Sequence, residues 1–326
     1  MHTRASTVRL VDAVAGLLDG PRARDAFVLR SSMDPPWSLR VIDEAHLTAM
    51  AVARGHAWIV HDIDNAPRRL QAGDVAILRG PDPYSVSDEP GRAPEAIIHP
   101  GQRCTTVSGE ELHERWSVGV RTWGNSPDGT TVMLTGTYEH HSEVGHRLLR
   151  ALPPLLVLRD HEWDSPLVPL LTAEIGRDEP GQEAVLDRLL DLLVIAVLRS
   201  WFGRPDTPAP GWYRANADPC VGRALALMHH NPAHPWTLDE LAREVGLSRA
   251  AFARRFHHLV GEPPMTFLTG WRIALAADLL GEPDATLGSV ARQVGYGSPF
   301  ALSSAFKRLR GMSPQQYRTR SGPVLT

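Results

Sequence analysis

Apolar residues near the C-terminal end recur with the period of a helix. Leu241, Ala242 and Val245 follow Leu238 by 3, 4 and 7 residues, which lays all four along one stripe. Leu287, Val290, Ala291 and Val294 repeat that stripe 49 residues later. Each run opens on a threonine, Thr237 or Thr286, whose hydroxyl suits an N-cap, and Thr237 starts a T-L-D-E capping box with Glu240. Each closes on a glycine, Gly246 or Gly295, free to take the positive φ that ends a helix. Ser248 and Ser298 then cap second helices, with Phe252, Phe256 and Leu259 inward in the first copy and Leu302, Phe306 and Leu309 in the second. After one extra residue the offset becomes 50, matching Phe256 to Phe306, Gly261 to Gly311 and Pro264 to Pro314. The chain therefore holds an internal repeat of helix, turn and helix. Two plain helical hairpins would give the same stripes. The short glycine turn, the small alanines between the helices and the arginines on the second helix favour a nucleic-acid role.

Ahead of this the pattern switches to short β-type runs: AFVLR, WSLRVI, LTAMAV, AWIV, DVAIL, YSVS, AIIH, TTV, WSVGVRTW and TVMLTGTY. Gly55, Gly73, Gly80, Pro81, Pro83, Pro90 and Pro100 punctuate them, which predicts a small antiparallel barrel or sandwich. The opening stretch MHTRASTVRLVDAVAGLL carries Asp12 among its apolar residues and no clear cleavage site, and reads as a short amphipathic helix. From Ser165 the pattern turns helical. Between Gln182 and Phe202 the residues Leu186, Leu189, Leu190, Leu193, Val194, Val197 and Leu198 make an apolar face wider than one helix needs. Leu186, Leu189, Leu190, Leu193 and Val197 are expected to meet a second subunit in a homodimer; packing onto their own domain is the alternative. The run RPDTPAPG, from Arg204 to Gly211, reads as a linker.

Length and composition fit this division. The 326 residues suffice for two domains, and 43% hydrophobic with 22% charged residues is ordinary for a soluble protein. No stretch approaches the ~18 uninterrupted apolar residues of a membrane helix. Two distant cysteines, Cys104 and Cys220, match no metal-ligand spacing and fit a reducing cytoplasm, with a redox-sensing thiol as the lesser reading. The net charge of −3 divides unevenly: residues 221–326 hold 12 Arg and Lys against 7 Asp and Glu, leaving 22 against 30 for residues 1–220. A basic C-terminal part beside an acidic one suits a polyanion-binding module joined to something else.

From Pro219 to Arg318 the chain resembles the DNA-binding domain of the AraC family of bacterial regulators. The likeness is carried by LDELAREVGLSRAAFARRFHHLVGEPPMTFLTGWRIALAADLL and VARQVGYGSPFALSSAFKRLRGMSPQQYR, above all by the VGY, AFKR, G-x-SP and YR elements. The resemblance implies an all-α domain of seven helices, in which a helix from about Thr266 to Leu280 bridges two units that read successive major grooves. A recognition helix meets base edges with its N-terminal residues while flanking groups hold phosphates. Candidate DNA contacts are therefore Ser248, Arg249, Ala250, Ala253, Arg254 and Arg255 in the first unit. In the second they are Ser298, Pro299, Phe300, Ala301, Ser303, Ser304 and Lys307. Arg254 suits a bidentate bond to guanine, and Ala250 and Ala253 suit contact with a thymine methyl. Relatives often carry arginine where this chain has Ser304 and an aromatic where it has Leu302, so the first unit is expected to do most base reading and the second to add phosphate contacts.

The N-terminal half resembles, more loosely, the cupin-like sensor domain of the same regulators, through VARGHAWIV, LQAGDVAILRGPDPYSVSD, LTGTY and RLLRALPPLLVL. The usual cupin metal slots fall here at Ile42 or Asp43, Glu44 or Ala45, Thr48 and Tyr84, so the ligand set is essentially absent. His46, His99, His113, His140, His141 and His146 show no close pairing on one element. His46, Trp58, Tyr84, Trp123 and Tyr138 are instead the candidate lining of an effector pocket. The expected organisation is a sensor domain over 1–175, a helical dimerisation segment and linker over 176–212, and the DNA-binding domain over 213–326. The function implied is a promoter-binding transcription regulator, an activator controlled by a small-molecule effector and meeting RNA polymerase. It needs no metal, cofactor or catalytic residue. A cupin-type metalloenzyme with an accessory DNA domain, or a ligand-independent dimeric regulator, are the alternatives.

Overall fold

The computed structural model describes residues 27–138, 149–163, 165–207, 209–282 and 284–321. The expected N-terminal helix, together with His140, His141 and His146, lies outside them. The described residues fall into two compact units that part at residue 208.

The first unit runs through β1 (Phe27–Met33), β2 (Ser38–Val41), β3 (Leu47–Arg54), β4 (His56–His61), β5 (Arg68–Gln71), β6 (Val75–Arg79), β7 (Tyr84–Ser87), β8 (Ala96–Ile98), β9 (Cys104–Thr106), β10 (Ser117–Gly119), β11 (Thr122–Trp123), β12 (Thr131–Tyr138) and β13 (Leu155–Leu158). It ends in helices α1 (Leu167–Ile175) and α2 (Gln182–Phe202). One sheet has the order β10-β11-β1-β12-β3-β6-β13 and the other β5-β4-β7-β2-β8-β9. All pairings are antiparallel except β1 with β11 and β2 with β8. The small antiparallel barrel or sandwich expected from the turn spacing takes the form of these two sheets, antiparallel apart from two pairs.

Alternation along the strands separates an inner from an outer face. Met50 and Val52 of β3, Ala76 and Leu78 of β6 and Met133 of β12 join Ile59, Leu70 and Val86 of the other sheet in one interior cluster. Their neighbours Ala49, Ala51, Ile77 and Leu134 point the other way, yet are buried too. Helices explain that second buried face. Leu190 of α2 sits so close over Gly136 of β12 that a Cβ there would lie 2.4 Å from its Cδ1. A buried carboxylate, Asp74, is satisfied by the amides of Gln71 and Asp160 and by Arg159, which pins the chain after β13 to the turn between β5 and β6.

The second unit is helical: α3 (Gly211–Ala215), then α4 (Pro219–His230), α5 (Leu238–Glu244), α6 (Arg249–Val260), α7 (Pro264–Leu280), α8 (Leu287–Gln293), α9 (Pro299–Arg310) and α10 (Pro314–Ser321). The last seven match the number expected, and α7 spans the expected bridge. Its Phe267 and Leu268 enter a core with Leu225, Leu241, Phe252 and Phe256. Its Ile273, Ala276, Ala277 and Leu280 enter a separate core with Val290, Val294, Leu302 and Phe306. One helix is shared by two hydrophobic cores.

Candidate nucleic-acid interface

The repeat in sequence is a repeat in structure. Thr237 Oγ1 accepts from the Glu240 amide at 3.1 Å, and Thr286 Oγ1 accepts from Ser289 at the same distance. At Thr286 the box closes reciprocally, because Ser289 Oγ accepts from the Thr286 amide. Ser248 and Ser298 cap α6 and α9 through the amides of Ala251 and Ala301. The amides of Leu247 and Tyr296 bond back to Ala242 and Ala291, giving both helix ends the same turn. Gly295 there has φ +80°, and a Cβ would lie 2.7 Å from the Ala233 carbonyl, so backbone and space both demand glycine.

Two arginines hold the frame. Arg272 donates to the carbonyls of Pro232 and His234, fastening α7 to the loop before α5. Arg318 donates to Leu280 and Ala285, closing the passage from α7 to α8, while Tyr317 packs edge-on against Phe306. The YR element noted in the sequence is this clamp.

With Phe252 and Phe256 buried, a turn of 100° per residue puts Ala250, Arg254 and His257 on the opposite side of α6, with His258 beside them. All four are exposed, whereas Ala253 is half-buried. In α9, Leu302 and Phe306 are buried and Phe300, Ser304, Lys307 and Arg308 take the equivalent outward places. Pro299 and Ala301 are exposed at its start, and Ser303 is half-buried. His257, His258 and Arg308 were legible by the same period but are absent from the candidate set above.

Charge separates the three arginines of α6. Arg249 Nη1 is 3.2 Å from Asp239, and Arg255 is bound to Asp218 through two nitrogens. Arg254 has no acidic partner among the described residues and projects into solvent. Only this guanidinium of the three keeps its whole donor fork open for a ligand.

The barrel candidates divide. Tyr84 and Trp123 belong to the interior cluster, but at different levels. Tyr84 lies near Thr48, which pairs through Thr137 with Phe27, whereas Trp123 pairs with Ser31, four residues farther along β1. Trp58 lies between the inward Ala57 and Ile59 and so faces out. Tyr138 also faces out, donating to Asp191 of α2 at 3.2 Å, and burial followed by that carboxylate raises its phenol. His46 lies ahead of β3, half-buried. Trp58 and Tyr138 are therefore removed from an interior pocket, because alternation puts them on the opposite face of their strands. The metal slots at Thr48 and Tyr84 hold a hydroxyl and a phenol in place of the usual carboxylate and imidazole, so the cupin metal set does not fit this barrel, and no metal-ligand cluster of His, Cys, Asp and Glu exists among the described residues.

The dimer candidates need a similar correction. Leu186, Leu190, Leu193 and Val197 are buried within their own unit and are unavailable to a partner. On α2 it is Val185 and Leu192, with half-buried Leu189 between them, that face solvent.

Comparison with known proteins follows the same division. A Cupin model matches residues 12–203, and a Helix-turn-helix domain model matches residues 241–320. A putative AraC-like transcription regulator of Streptomyces lividans is 33% identical over 286 residues, covering 86% of this chain and 90% of that protein. Another of the same description, from Streptomyces antibioticus, is 33% identical over 84% of this chain and 87% of its own. The HTH-type transcriptional regulator AlkR of Acinetobacter baylyi (strain ATCC 33305 / BD413 / ADP1) is 27% identical over 95% of this chain and 100% of its own.

Proposed function

The chain belongs to the AraC family of DNA-binding transcription regulators, with a cupin domain ahead of its helix-turn-helix domain, and from that premise we propose a cytoplasmic, homodimeric activator governed by a small molecule in its barrel. The observation that carries most weight is the open Arg254 fork on the outward face of α6, flanked by two arginines that acids already hold. Arg254 pairs with guanine N7 and O6; Ala250 and Ala253 lie against neighbouring bases. Ser248, Arg249, Arg255, Ser298 and Lys307 meet the phosphates beside the two helices. Pro299, Phe300, Ala301, Ser303 and Ser304 face the second groove. Bound at a promoter, the dimer recruits RNA polymerase.

Support for an effector comes from the barrel interior. Trp37 Nε1, Trp123 Nε1 and His61 Nε2 are buried with no hydrogen-bond partner among the described residues, and an acceptor-bearing ligand would satisfy them. The ligand acts by favouring one arrangement of the chain over another. A ligand-independent dimeric regulator is the second reading, favoured by the full burial of Met33, Trp37, Ile59 and Leu70 in that interior. Relatives named as regulators, and metal slots that hold Thr48 and Tyr84 in place of the usual ligands, speak against an enzyme.

The test is binding of the purified chain to fragments of its own upstream DNA at several salt concentrations, beside Arg254→Ala. The expected result is a salt-sensitive, sequence-selective complex that the substitution weakens by about 1–3 kcal/mol on the preferred sequence and little on random DNA. Binding with no preference for any genomic fragment, with and without cell extract, would sink the reading. Extract that leaves selective binding and transcription unchanged would favour the ligand-independent form.

A further inference from the structure

Phe300 is 82% exposed, whereas Phe202, Phe252, Phe256, Phe267 and Phe306 are at most 4% exposed. It stands on the first turn of α9, behind the Ser298 cap, about 160° around the helix from buried Leu302 at 100° per residue. Fifty residues earlier the same place is held by Ala250, and the place of Arg254 is held by Ser304. On the outward face of α9 no charged side chain precedes Lys307. The two reading surfaces are built alike but carry opposite chemistry, a bare cation on one and a bare aromatic ring on the other.

We infer that Phe300 makes the second unit a reader of thymine, by lying against 5-methyl groups in the major groove. The inference rests on the DNA-binding reading above. A benzene ring has no donor or acceptor for base edges, and the thymine methyl is the apolar group that the major groove offers it. The N-terminal turn of a recognition helix is where side chains meet bases. The Ala301 methyl lies exposed beside the ring, and a serine hydroxyl at position 304 bonds either kind of edge, so discrimination falls to Phe300. The second unit then contributes base reading as well as the phosphate contacts expected of it, which pass to Lys307 and Arg308 about two turns beyond Phe300.

The full chain is used to select its best-bound duplexes from a random pool. Each thymine of the winner is then replaced singly by deoxyuridine, which keeps base pairing and removes only the methyl. One or two positions in one half-site should weaken binding about fourfold each, the factor equivalent to ~0.8 kcal/mol for one buried methyl-sized group. Phe300→Ala, at an exposed site and with an unchanged circular dichroism spectrum, should bind the thymine and uracil duplexes equally while keeping its dependence on guanine. A winner indifferent to uracil everywhere overturns the inference and leaves the regulator standing. So does a uracil penalty that persists in Phe300→Ala, or a Phe300→Ala defect equal on all sequences. A pool that yields no preferred sequence overturns both readings.

Discussion

Arg255 reaches one oxygen of Asp218, Oδ2, with both Nε and Nη2, at 2.9 and 2.5 Å, and so ties the recognition helix α6 to the helix that Asp218 caps. The other oxygen accepts from the amides of Cys220 and Val221 at the start of α4. One carboxylate serves two helices.

Removing it should be felt in both. Asp218→Ala is expected to cost about 1–2 kcal/mol at neutral pH, mostly from the lost cap. Burial alone would raise this carboxyl, but the Arg255 guanidinium and the two amides outweigh it and hold it below the usual carboxylate range. The unfolded chain therefore binds a proton sooner than the folded one as pH falls. The ionised group's contribution is complete above the unfolded pKa and is lost as pH drops through the lower folded value. Urea unfolding of parent and variant at neutral and acid pH should show the gap between them shrinking in acid.

Gly246 and Gly295 occupy the same turn in the two units with φ of +72° and +80°, but only Gly295 is crowded. Gly246→Ala should cost about 1–2 kcal/mol, the strain of a left-handed Cβ. Gly295→Ala adds the collision with the Ala233 and Pro232 carbonyls and should cost clearly more. Equal midpoint shifts in chemical denaturation would contradict this account of the second turn.

Leu192, 49% exposed, and Val185, 44% exposed, flank Leu189 on one side of α2. If a second copy covers that side, Leu192→Asp should shift the chain from dimer to monomer in light scattering without changing its helix content. Leu190→Ala, buried over Gly136, should instead destabilise the fold by about 2–5 kcal/mol and leave association intact. A parent chain that is monomeric at every concentration refutes the dimer.

Burial, with Glu111 adding to it, pushes the Cys104 thiol up to about 11, so it stays protonated at neutral pH. Alkylating reagents should modify the more exposed Cys220 first, and Cys104 only as the barrel unfolds. Rapid labelling of Cys104 in the native chain would point to a reactive thiol after all.

The helical half was more legible than the barrel, for reasons that individual residues make plain. Caps, stripes and glycine turns are local, so Thr286, Val290 and Gly295 announce themselves within ten residues. Strand β5 is RRLQ, in which Leu70 alone is buried, and it offers no alternation to read. Strand β13 is LLVL, apolar on both faces, and such short runs are ambiguous between strand and helix. Alternation groups Trp58 apart from Ala57 but cannot say which face turns inward. Tyr138 and Leu190 misled for the same reason: the outer face of the sheet is itself buried, by a helix that the pattern alone cannot distinguish from a partner's. The acids that engage Arg249 and Arg255 lie 10 and 37 residues away, so only the fold singles out Arg254.

Because α7 contributes to both cores, it acts as a ruler. Adding one residue midway would advance the second reading head by about 1.5 Å and swing it by about 100°, carrying Phe300 out of any groove that Arg254 still occupied. If the two units read half-sites on DNA as proposed, the length of this helix sets the phase between them, and operators respaced by a few base pairs should lose binding that no change of base identity restores.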